Sequence, residues 1–354
     1  MNMKINFIIY FLIFLLVYIA VNFYVIFRFG GLLKIEKNIL CWWLILVNFS
    51  LPVALYIERT LPNILSKVFY TLSTLWVGIL LFMLVLLLIY EIVRIFYPIP
   101  YAGVMIATLV ILLSIASIIN ATRISVKEVK IPIKNLEKPI SIVQLSDIHL
   151  GTIRNSVFLK KIVKKTGQLN PDMVMITGDM IDGSARLHKG MFDEFNKLNA
   201  PVYFVTGNHE VMEGVNKVYA LLDDVNVRVL KNEVVDSGGI QIIGLEYSED
   251  KNNIGNEFAK LEIDKMRPSV FMYHSPEVFD FIKKAGVDLQ LAGHTHNGQI
   301  FPFNFLVSMV YQHTKGLYDL GEMFLYVSSG TGTWGPYMRL GSINEITFLK
   351  LFPG

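Results

Sequence analysis

Five short polar motifs rich in Asp, His and Asn stand in the second half of the chain, and each follows a short apolar run. The runs cover residues 140–146, 172–177, 201–206, 269–273 and 287–291. The motifs after them are Asp147-Ile-His149, Gly178-Asp179, Gly207-Asn208-His209-Glu210, His274 and Gly293-His294-Thr295-His296. Because ligand-binding residues in α/β sheets gather at the carboxyl ends of strands, we expect the five motifs to converge on one site.

The chemistry of these side chains is that of a metal site without sulfur. Their imidazole nitrogens and carboxylate oxygens suit Mn, Fe, Zn or Co. The single cysteine, Cys41, excludes both an intramolecular disulfide and a cysteine-built zinc site. One ion needs about four ligands, so the eight candidates suffice for two ions that share a carboxylate. Two ions about 3.5–4 Å apart can clamp the attacking and leaving oxygens of a phosphoryl transfer.

The elements that must position these motifs alternate between strands and helices. After the first run, Phe158, Leu159, Ile162 and Val163 recur with helical spacing. Strands that alternate with helical segments predict an α/β domain. The 234 residues from 121 to 354 are enough for such a domain to bury a core of its own.

The first 120 residues have a different composition from the rest. They hold seven Lys or Arg and three acids, whereas residues 121–354 hold 25 basic and 26 acidic residues. The whole chain is 53% hydrophobic and 17% charged, with a mean hydropathy of +0.49. This composition excludes a disordered chain, and the near-neutral second part lacks the basic footprint of a nucleic-acid-binding protein.

Four apolar stretches in this first part are each long enough for a membrane-crossing helix, which needs roughly 20 residues. The predicted spans are residues 6–27, 38–57, 68–97 and 101–119. Four crossings put both ends on one side, and eight Lys or Arg against four favour that side as cytoplasmic. We therefore predict a multi-pass protein of the cell membrane with a cytoplasmic second domain at 140–354, after a linker at 121–139. Glu91 and Arg94 are interpreted as a pair at the membrane interface.

The motif order Asp-x-His, Gly-Asp, Gly-Asn-His-Glu, lone His and Gly-His-Thr-His resembles the calcineurin-like metallophosphoesterases, over about residues 140–352. Gly298-Gln-Ile and the glycine-rich segment 328–341 are similar to the membrane-associated branch, which includes enzymes that cleave UDP-2,3-diacylglucosamine, a lipid-linked pyrophosphate. The resemblance implies an α/β (α+β) domain of two packed mixed β-sheets flanked by helices. One departure is Asn297, where the family often has glycine.

The resemblance also implies a role for each motif residue. His209 would not bind metal but would donate a proton to the leaving oxygen or steady the phosphoryl group, and Glu210 would orient His209. Seven residues would ligate metal: Asp147, His149 and His296 one ion, Asn208, His274 and His294 the other, and Asp179 both.

Residues outside the motifs offer weaker candidates for substrate contact. Arg339 could meet a substrate phosphate, since guanidinium suits bidentate recognition, or it could form a structural salt bridge. His313 could contact substrate or be a plain loop residue. Trp334 and Tyr337 could stack on a base, line a lipid groove or simply pack.

We expect a membrane-bound, dinuclear-metal-dependent phosphoesterase that hydrolyses a phosphodiester or pyrophosphate bond, with a lipid-linked substrate such as UDP-2,3-diacylglucosamine as one candidate. Its cofactors would be two divalent ions, Mn, Fe or Zn, with Mn favoured. Its partners would be the lipid bilayer and a phosphate-containing substrate, and no nucleic acid is expected. One alternative is a non-catalytic membrane scaffold, which predicts degraded ligands. Another is a transporter or channel, which predicts charges that face a membrane cavity.

Overall fold

The computed structural model describes residues 2–277 and 280–354, with the backbone alone at residues 2–11 and at residue 14. The chain divides into two compact units. The first comprises Met1–Ile118 and Gly335–Met338, and the second comprises Ile119–Trp334 and Arg339–Gly354.

The first unit is built from long apolar helices, as the sequence predicts. Within residues 2–277 and 280–354, four helices are long and apolar enough to cross a membrane. They are α1 (Asn2–Leu32), α2 (Lys37–Thr60), α3 (Ile64–Val93) and α4 (Ala102–Thr122).

The ends of α3 follow from local sequence. The Asn63 side chain accepts hydrogen bonds from the backbone N–H groups of Leu65 and Ser66, which caps the start of the helix. The predicted span extends to Tyr97, but the helix ends at Val93. Pro98 and Pro100 follow, and a residue that precedes proline is pushed out of the helical region, so the last predicted turn does not form.

Polar contacts join α1 to α3 inside the first unit. The indole Nε1 of Trp76 donates to Asn22 Oδ1 at 2.9 Å. Glu91 pairs with Arg94, as the sequence suggests, and it also pairs with Arg28 of α1. The charged groups therefore neutralise one another between neighbouring helices.

In its described residues, the second unit contains two six-stranded sheets. The strands of the first sheet are β1 (Ile124–Ile133), β2 (Ile140–Leu145), β3 (Met173–Thr177), β4 (Val202–Val205), β5 (Arg228–Val229) and β12 (Asn344–Pro353). Those of the second are β6 (Glu233–Ser237), β7 (Ile240–Gly244), β8 (Ser269–Met272), β9 (Leu289–Ala292), β10 (Gly316–Asp319) and β11 (Phe324–Val327).

Both sheets are mixed, which confirms the expected fold class. The first sheet has the order β1-β12-β2-β3-β4-β5. In it β12 runs antiparallel to β2, and all other neighbouring strands of the sheet are parallel. The second has the order β10-β11-β9-β8-β7-β6, with antiparallel pairs at its two edges. The parallel centres of both sheets bring strand ends together, as the site requires.

Side chains of the central strands alternate between two cores. Ile142 and Met175 of the first sheet pack with Met272 and Leu291 of the second, so one core lies between the sheets. Alternate residues point to the other face and pack against α5 (Ser156–Gln168), whose predicted apolar stripe is buried there. The other α-helices in the part of the unit that the structure describes are α6 (Asn208–Glu213), α7 (Val215–Leu222), α8 (Lys251–Phe258), α9 (Asp280–Lys284) and α10 (Phe303–Val310).

The segment 121–139 is not merely a linker, because it contains strand β1. This strand pairs in parallel with β12 from Ile124↔Asn344 to Ile133↔Pro353. Ile131 and Ile133 of this strand are buried, whereas Lys127 and Lys130 are exposed. The lysine-rich composition of the segment did not indicate a strand, and the partner strand, β12, lies about 220 residues further along the chain.

Candidate metal centre

The polar motifs after β2, β3, β4, β8 and β9 converge on one site, as the sequence predicts. Backbone hydrogen bonds fasten the loops to one another. Asp147 N donates to Gly178 O at 3.0 Å, and His149 N donates to Asp179 O at 3.0 Å. Gly293 N donates to His274 O at 2.9 Å, which joins the two loops of the second sheet.

One group of donor atoms comprises Asp147, His149 and His296, whose ligand atoms lie within 4.8 Å of one another. The Nε2 atoms of the two imidazoles are 2.9 Å apart. Asp147 Oδ1 lies 3.3 Å from Nε2 of His296 and 3.9 Å from Nε2 of His149. Three potential ligand atoms therefore face a single point.

A second group comprises Asn208, His274 and His294. Asn208 Oδ1 lies 3.1 Å from His274 Nε2 and 3.0 Å from His294 Nδ1. Asp179 Oδ2 lies 3.2 Å from His274 Nε2 and 3.9 Å from His149 Nε2. The Asp179 carboxylate is thus positioned between the two groups, and all seven predicted ligands are brought together.

Hydrogen bonds behind the ligands aim their donor atoms. His274 Nδ1 faces the carbonyl of Thr177 at 2.8 Å, so Nε2 points into the site. His294 Nε2 faces the Tyr311 hydroxyl at 2.8 Å, so Nδ1 points inward. Partners of this kind fix the tautomer and orientation of metal-binding imidazoles.

The carboxylates are aimed in the same way. Asp179 Oδ1 accepts a hydrogen bond from the backbone N–H of His209 at 2.9 Å, which leaves Oδ2 for the imidazoles. Asp147 Oδ2 accepts from the Ser146 hydroxyl at 2.5 Å. The backbone N–H of His294 lies 3.1 Å from both Asp147 oxygens.

The backbone of the site is strained and closely packed. Five predicted ligands have left-handed φ values between 48° and 70°: Asp147, His149, Asp179, His294 and His296. Strain of this kind clusters at functional sites. A Cβ at Gly207 would lie 2.2 Å from Asp179 Oδ1, and one at Gly293 would lie 2.2 Å from Asp147 Oδ2. Glycine is required at both positions because the carboxylates occupy the space of a side chain.

The electrostatics of the cluster suit divalent cations. Burial alone raises the pKa of Asp147, but the imidazoles around it outweigh burial and hold that pKa well below its usual range. Burial lowers the pKa of His274, yet the Asp179 carboxylate outweighs it and raises that pKa to about 10. Both carboxylates are buried, at 0% and 3% exposure, and their negative charge requires cations beside them. Nitrogen and oxygen donors in this arrangement fit ions such as Mn, Fe or Zn.

His209 lies beside the cluster with one nitrogen free to face it. Its Nδ1 faces the Asp182 carbonyl at 3.2 Å, and its Nε2 lies 4.0 Å from Asp179 Oδ2. The ring stands edge-on to His149, with 4.8 Å between centroids. Trp334, which is 56% exposed, lies on another side at 6.1 Å.

Glu210 has a different contact from the one expected. Its Oε2 accepts hydrogen bonds from the N–H groups of Gly207 and Asp179, and its Oε1 accepts from those of Met180 and Ile181. Both oxygens therefore bind the loop that carries Asp179, whereas the sequence suggested that they orient His209. Burial and the charge of Asp179 raise the pKa of Glu210 to about 7.

Of the two weaker candidates, Arg339 contacts a residue of the cluster, whereas His313 packs against Tyr318. Arg339 is fully buried, and its Nη2 donates to the carbonyls of Ser329 and Gly332, at 2.8 Å and 2.6 Å. The same Nη2 lies 3.2 Å from Nδ1 of His296, so the guanidinium supports a ligand loop from behind. His313 packs edge-on against Tyr318, with 4.6 Å between ring centroids.

Tyr311 supports the cluster but belongs to none of the motifs. Its hydroxyl is the partner of His294 Nε2, although it follows an apolar stretch with no motif of its own. Only its position, within twenty residues of Gly-His-Thr-His, could have marked it.

We predict that Tyr311→Phe weakens Mn²⁺ binding at one position by about 10–100-fold, because loss of a partner behind a ligand has that effect. The electron paramagnetic resonance signal of free Mn²⁺ measures binding to the full chain in detergent. Tyr56→Phe, at an exposed tyrosine of α2, is the control. Equal Mn²⁺ affinity in wild type and Tyr311→Phe would show that this hydroxyl does not orient His294.

We predict that Glu210→Gln lowers the free energy of unfolding by about 2–4 kcal/mol, because the NH2 group of glutamine would leave two of the four buried backbone N–H groups without an acceptor. Thermal unfolding of the full chain, followed by intrinsic fluorescence with chelator present and at a pH above 7, measures the change. Glu194→Gln removes a surface ion pair with Lys197 and serves as the control. A midpoint shift no larger than the control's would contradict the assigned role.

Comparison with known proteins agrees with this geometry. The family model for calcineurin-like phosphoesterases matches residues 140–298. An uncharacterized metallophosphoesterase of Campylobacter jejuni is 40% identical over 67% of this chain and 66% of its own length. The transmembrane protein with metallophosphoesterase domain of Bos taurus is 33% identical over 71% of this chain and 62% of its own length.

A third relative, the uncharacterized metallophosphoesterase YkoQ of Bacillus subtilis, is 30% identical over 60% of this chain and 84% of its own length. The chain spans slightly less than two thirds of the first curated relatives it matches, at 65–66% of their length. From the motifs, the two mixed sheets and these matches, the chain belongs to the calcineurin-like phosphoesterase family.

Proposed function

We propose that this chain is a membrane-bound phosphoesterase that uses two divalent metal ions to hydrolyse a phosphodiester or pyrophosphate bond. The observation that carries the proposal is the position of Asp179 Oδ2, 3.2 Å from His274 and 3.9 Å from His149. A carboxylate shared between two donor groups is what a dinuclear centre needs. Membership of the calcineurin-like phosphoesterase family supports the same reaction class.

The donor groups would hold the two ions, with Mn favoured over Fe or Zn. Asp147, His149 and His296 would hold one ion, and Asn208, His274 and His294 the other. When bound, such ions polarise a phosphoryl oxygen and activate water at neutral pH. The strained loops and the hydrogen bonds behind the ligands would fix the spacing of the ions before substrate arrives.

His209 is the residue that we assign to the leaving group. Hydrogen bonding of Nδ1 to the Asp182 carbonyl directs Nε2 toward the position where a phosphoryl group would lie. Burial lowers the pKa of His209, and an anionic phosphoryl group beside Nε2 would favour the protonated ring. In that form Nε2 would donate its proton to the leaving oxygen or hold a phosphoryl oxygen.

The substrate that we propose lies at the membrane surface. The same chain carries four helices that are long and apolar enough to cross a bilayer, and a relative from Bos taurus is named as a transmembrane protein. A lipid-linked phosphodiester or pyrophosphate, of which UDP-2,3-diacylglucosamine is one example, fits this placement. The excess of Lys and Arg around one set of helix ends supports a multi-pass arrangement with the catalytic domain in the cytoplasm.

We predict that the full chain in detergent hydrolyses bis(p-nitrophenyl) phosphate when Mn²⁺ is restored after chelation. Asp179→Ala should abolish this activity while the fold is kept, because the shared ligand is lost. His209→Asn should keep the metal and lower kcat by about 10²–10⁴-fold, because a general acid contributes that much. Release of p-nitrophenolate and bound metal are measured together.

His188→Asn is the matched control, because His188 is exposed and lies outside the cluster. It should leave turnover unchanged. Retained activity in Asp179→Ala would contradict the assignment of the site. Bound metal without turnover on this diester would restrict the proposal to a narrower substrate class, and absence of both would favour a non-catalytic binding protein.

A further inference from the structure

Helix α10 exposes a continuous apolar surface. None of the side chains from Phe303 to Val310 is buried. Met309 is 82% exposed, Val310 is 75% exposed, and Phe305 and Leu306 are each more than half exposed. Phe301, just before the helix, is 45% exposed. Contiguous exposed apolar side chains mark an interaction surface.

The charge distribution around α10 indicates which surface it meets. Residues 297–314 contain no Asp, Glu, Lys or Arg, and Lys315 follows directly. Lys127 Nζ would lie 3.7 Å from a Cβ at Gly316, so a second ammonium stands at this end of the segment. Helices at a bilayer interface bury their apolar side chains in the headgroup region, and basic residues near them are attracted to anionic lipids.

The ends of α10 are fastened to the loops of the metal centre. At the start, Phe301 N donates to Leu340 O at 2.8 Å, next to the buried Arg339. At the end, Tyr311 N donates to Val307 O, and the Tyr311 hydroxyl contacts His294. The Thr295 hydroxyl donates to Thr314 O at 2.6 Å. A surface that α10 contacts is therefore adjacent to the ligand loops.

We propose that α10 is an interfacial helix that inserts into the headgroup region of a lipid bilayer and brings the phosphate of an amphiphilic substrate to the metal centre. The exposed helix and the basic residues at its edge support the insertion. The role of α10 in substrate binding rests on the proposed phosphoesterase function. A bilayer fits better than a second copy of the chain. Eight helical residues span about 12 Å, whereas a stable dimer buries about 800 Å² on each partner.

The test measures the depth of α10 in a bilayer. The full chain carries Cys41→Ser, so that a nitroxide attaches only at Met309→Cys or, in the control, at Met266→Cys. Met266 is 74% exposed and lies in the loop between α8 and β8. The protein is reconstituted in vesicles of phosphatidylethanolamine and phosphatidylglycerol, and collisions with oxygen and with a water-soluble nickel complex are compared.

We expect the label at residue 309 to collide mainly with oxygen, as a label at a depth of about 5–10 Å would. The label at residue 266 should collide mainly with the water-soluble nickel complex. Three results would overturn the proposal. They are equal nickel access at both positions, exclusion of both reagents at 309, and dipolar broadening that reveals a second copy against α10.

The role of α10 in substrate binding is tested separately, by enzyme kinetics. Met309→Gln should raise KM for p-nitrophenyl dodecyl phosphate held in the same vesicles by about tenfold, because apolar burial is lost. Its kcat/KM for soluble bis(p-nitrophenyl) phosphate should not change, and Met266→Gln should change neither. An unchanged KM of Met309→Gln for the substrate in vesicles would overturn the role of α10 in substrate binding.

The two proposals fail separately. The depth of the label does not require turnover. Insertion without bound metal and without metal-dependent hydrolysis would therefore refute the phosphoesterase function and the substrate role that rests on it, but not the insertion. Metal-dependent hydrolysis with the label at 309 in water would refute the insertion alone.

Discussion

The candidate metal centre depends on the burial of two carboxylates, Asp147 and Asp179, at the ends of neighbouring parallel strands. A buried carboxylate without a positive partner costs several kcal/mol, and the ion pairs in which these two take part are with imidazoles. Divalent cations between the donor groups would compensate this charge. The strained backbone, the glycines beside the carboxylates and the hydrogen bonds behind the imidazoles all serve to hold these charges in place.

The strands position the candidate ligands, and the loops that follow the strands carry the side chains of these ligands. Parallel pairing of β2, β3 and β4, and of β7, β8 and β9, makes the strand ends of each sheet coincide. The core between the sheets then fixes one set of ends against the other. Glu210 ties the loops after β3 and β4 together through four backbone N–H groups. Movement of either sheet would therefore separate the ligands.

The sequence predicted the parts of the structure that depend on local pattern. Four apolar stretches form four helices, and the motifs at strand ends come together as one cluster of candidate metal ligands. Contacts between distant segments could not be predicted. Strand β1 takes its partner from the far end of the unit, the Glu210 carboxylate turns to a neighbouring loop instead of His209, and Tyr311 reaches His294 only after α10 folds back. Each of these depends on tertiary packing, which one sequence does not reveal.

The most direct test of this account is the metal content of the full chain. The purified protein would be stripped with chelator, supplied with Mn²⁺, freed of unbound ions and measured by elemental analysis against protein concentration, beside Asp179→Ala. For a dinuclear centre we expect about two Mn²⁺ per wild-type chain, and fewer in the variant. A wild-type chain that binds no Mn²⁺, Fe²⁺ or Zn²⁺, or a variant that binds as many ions as wild type, would contradict it.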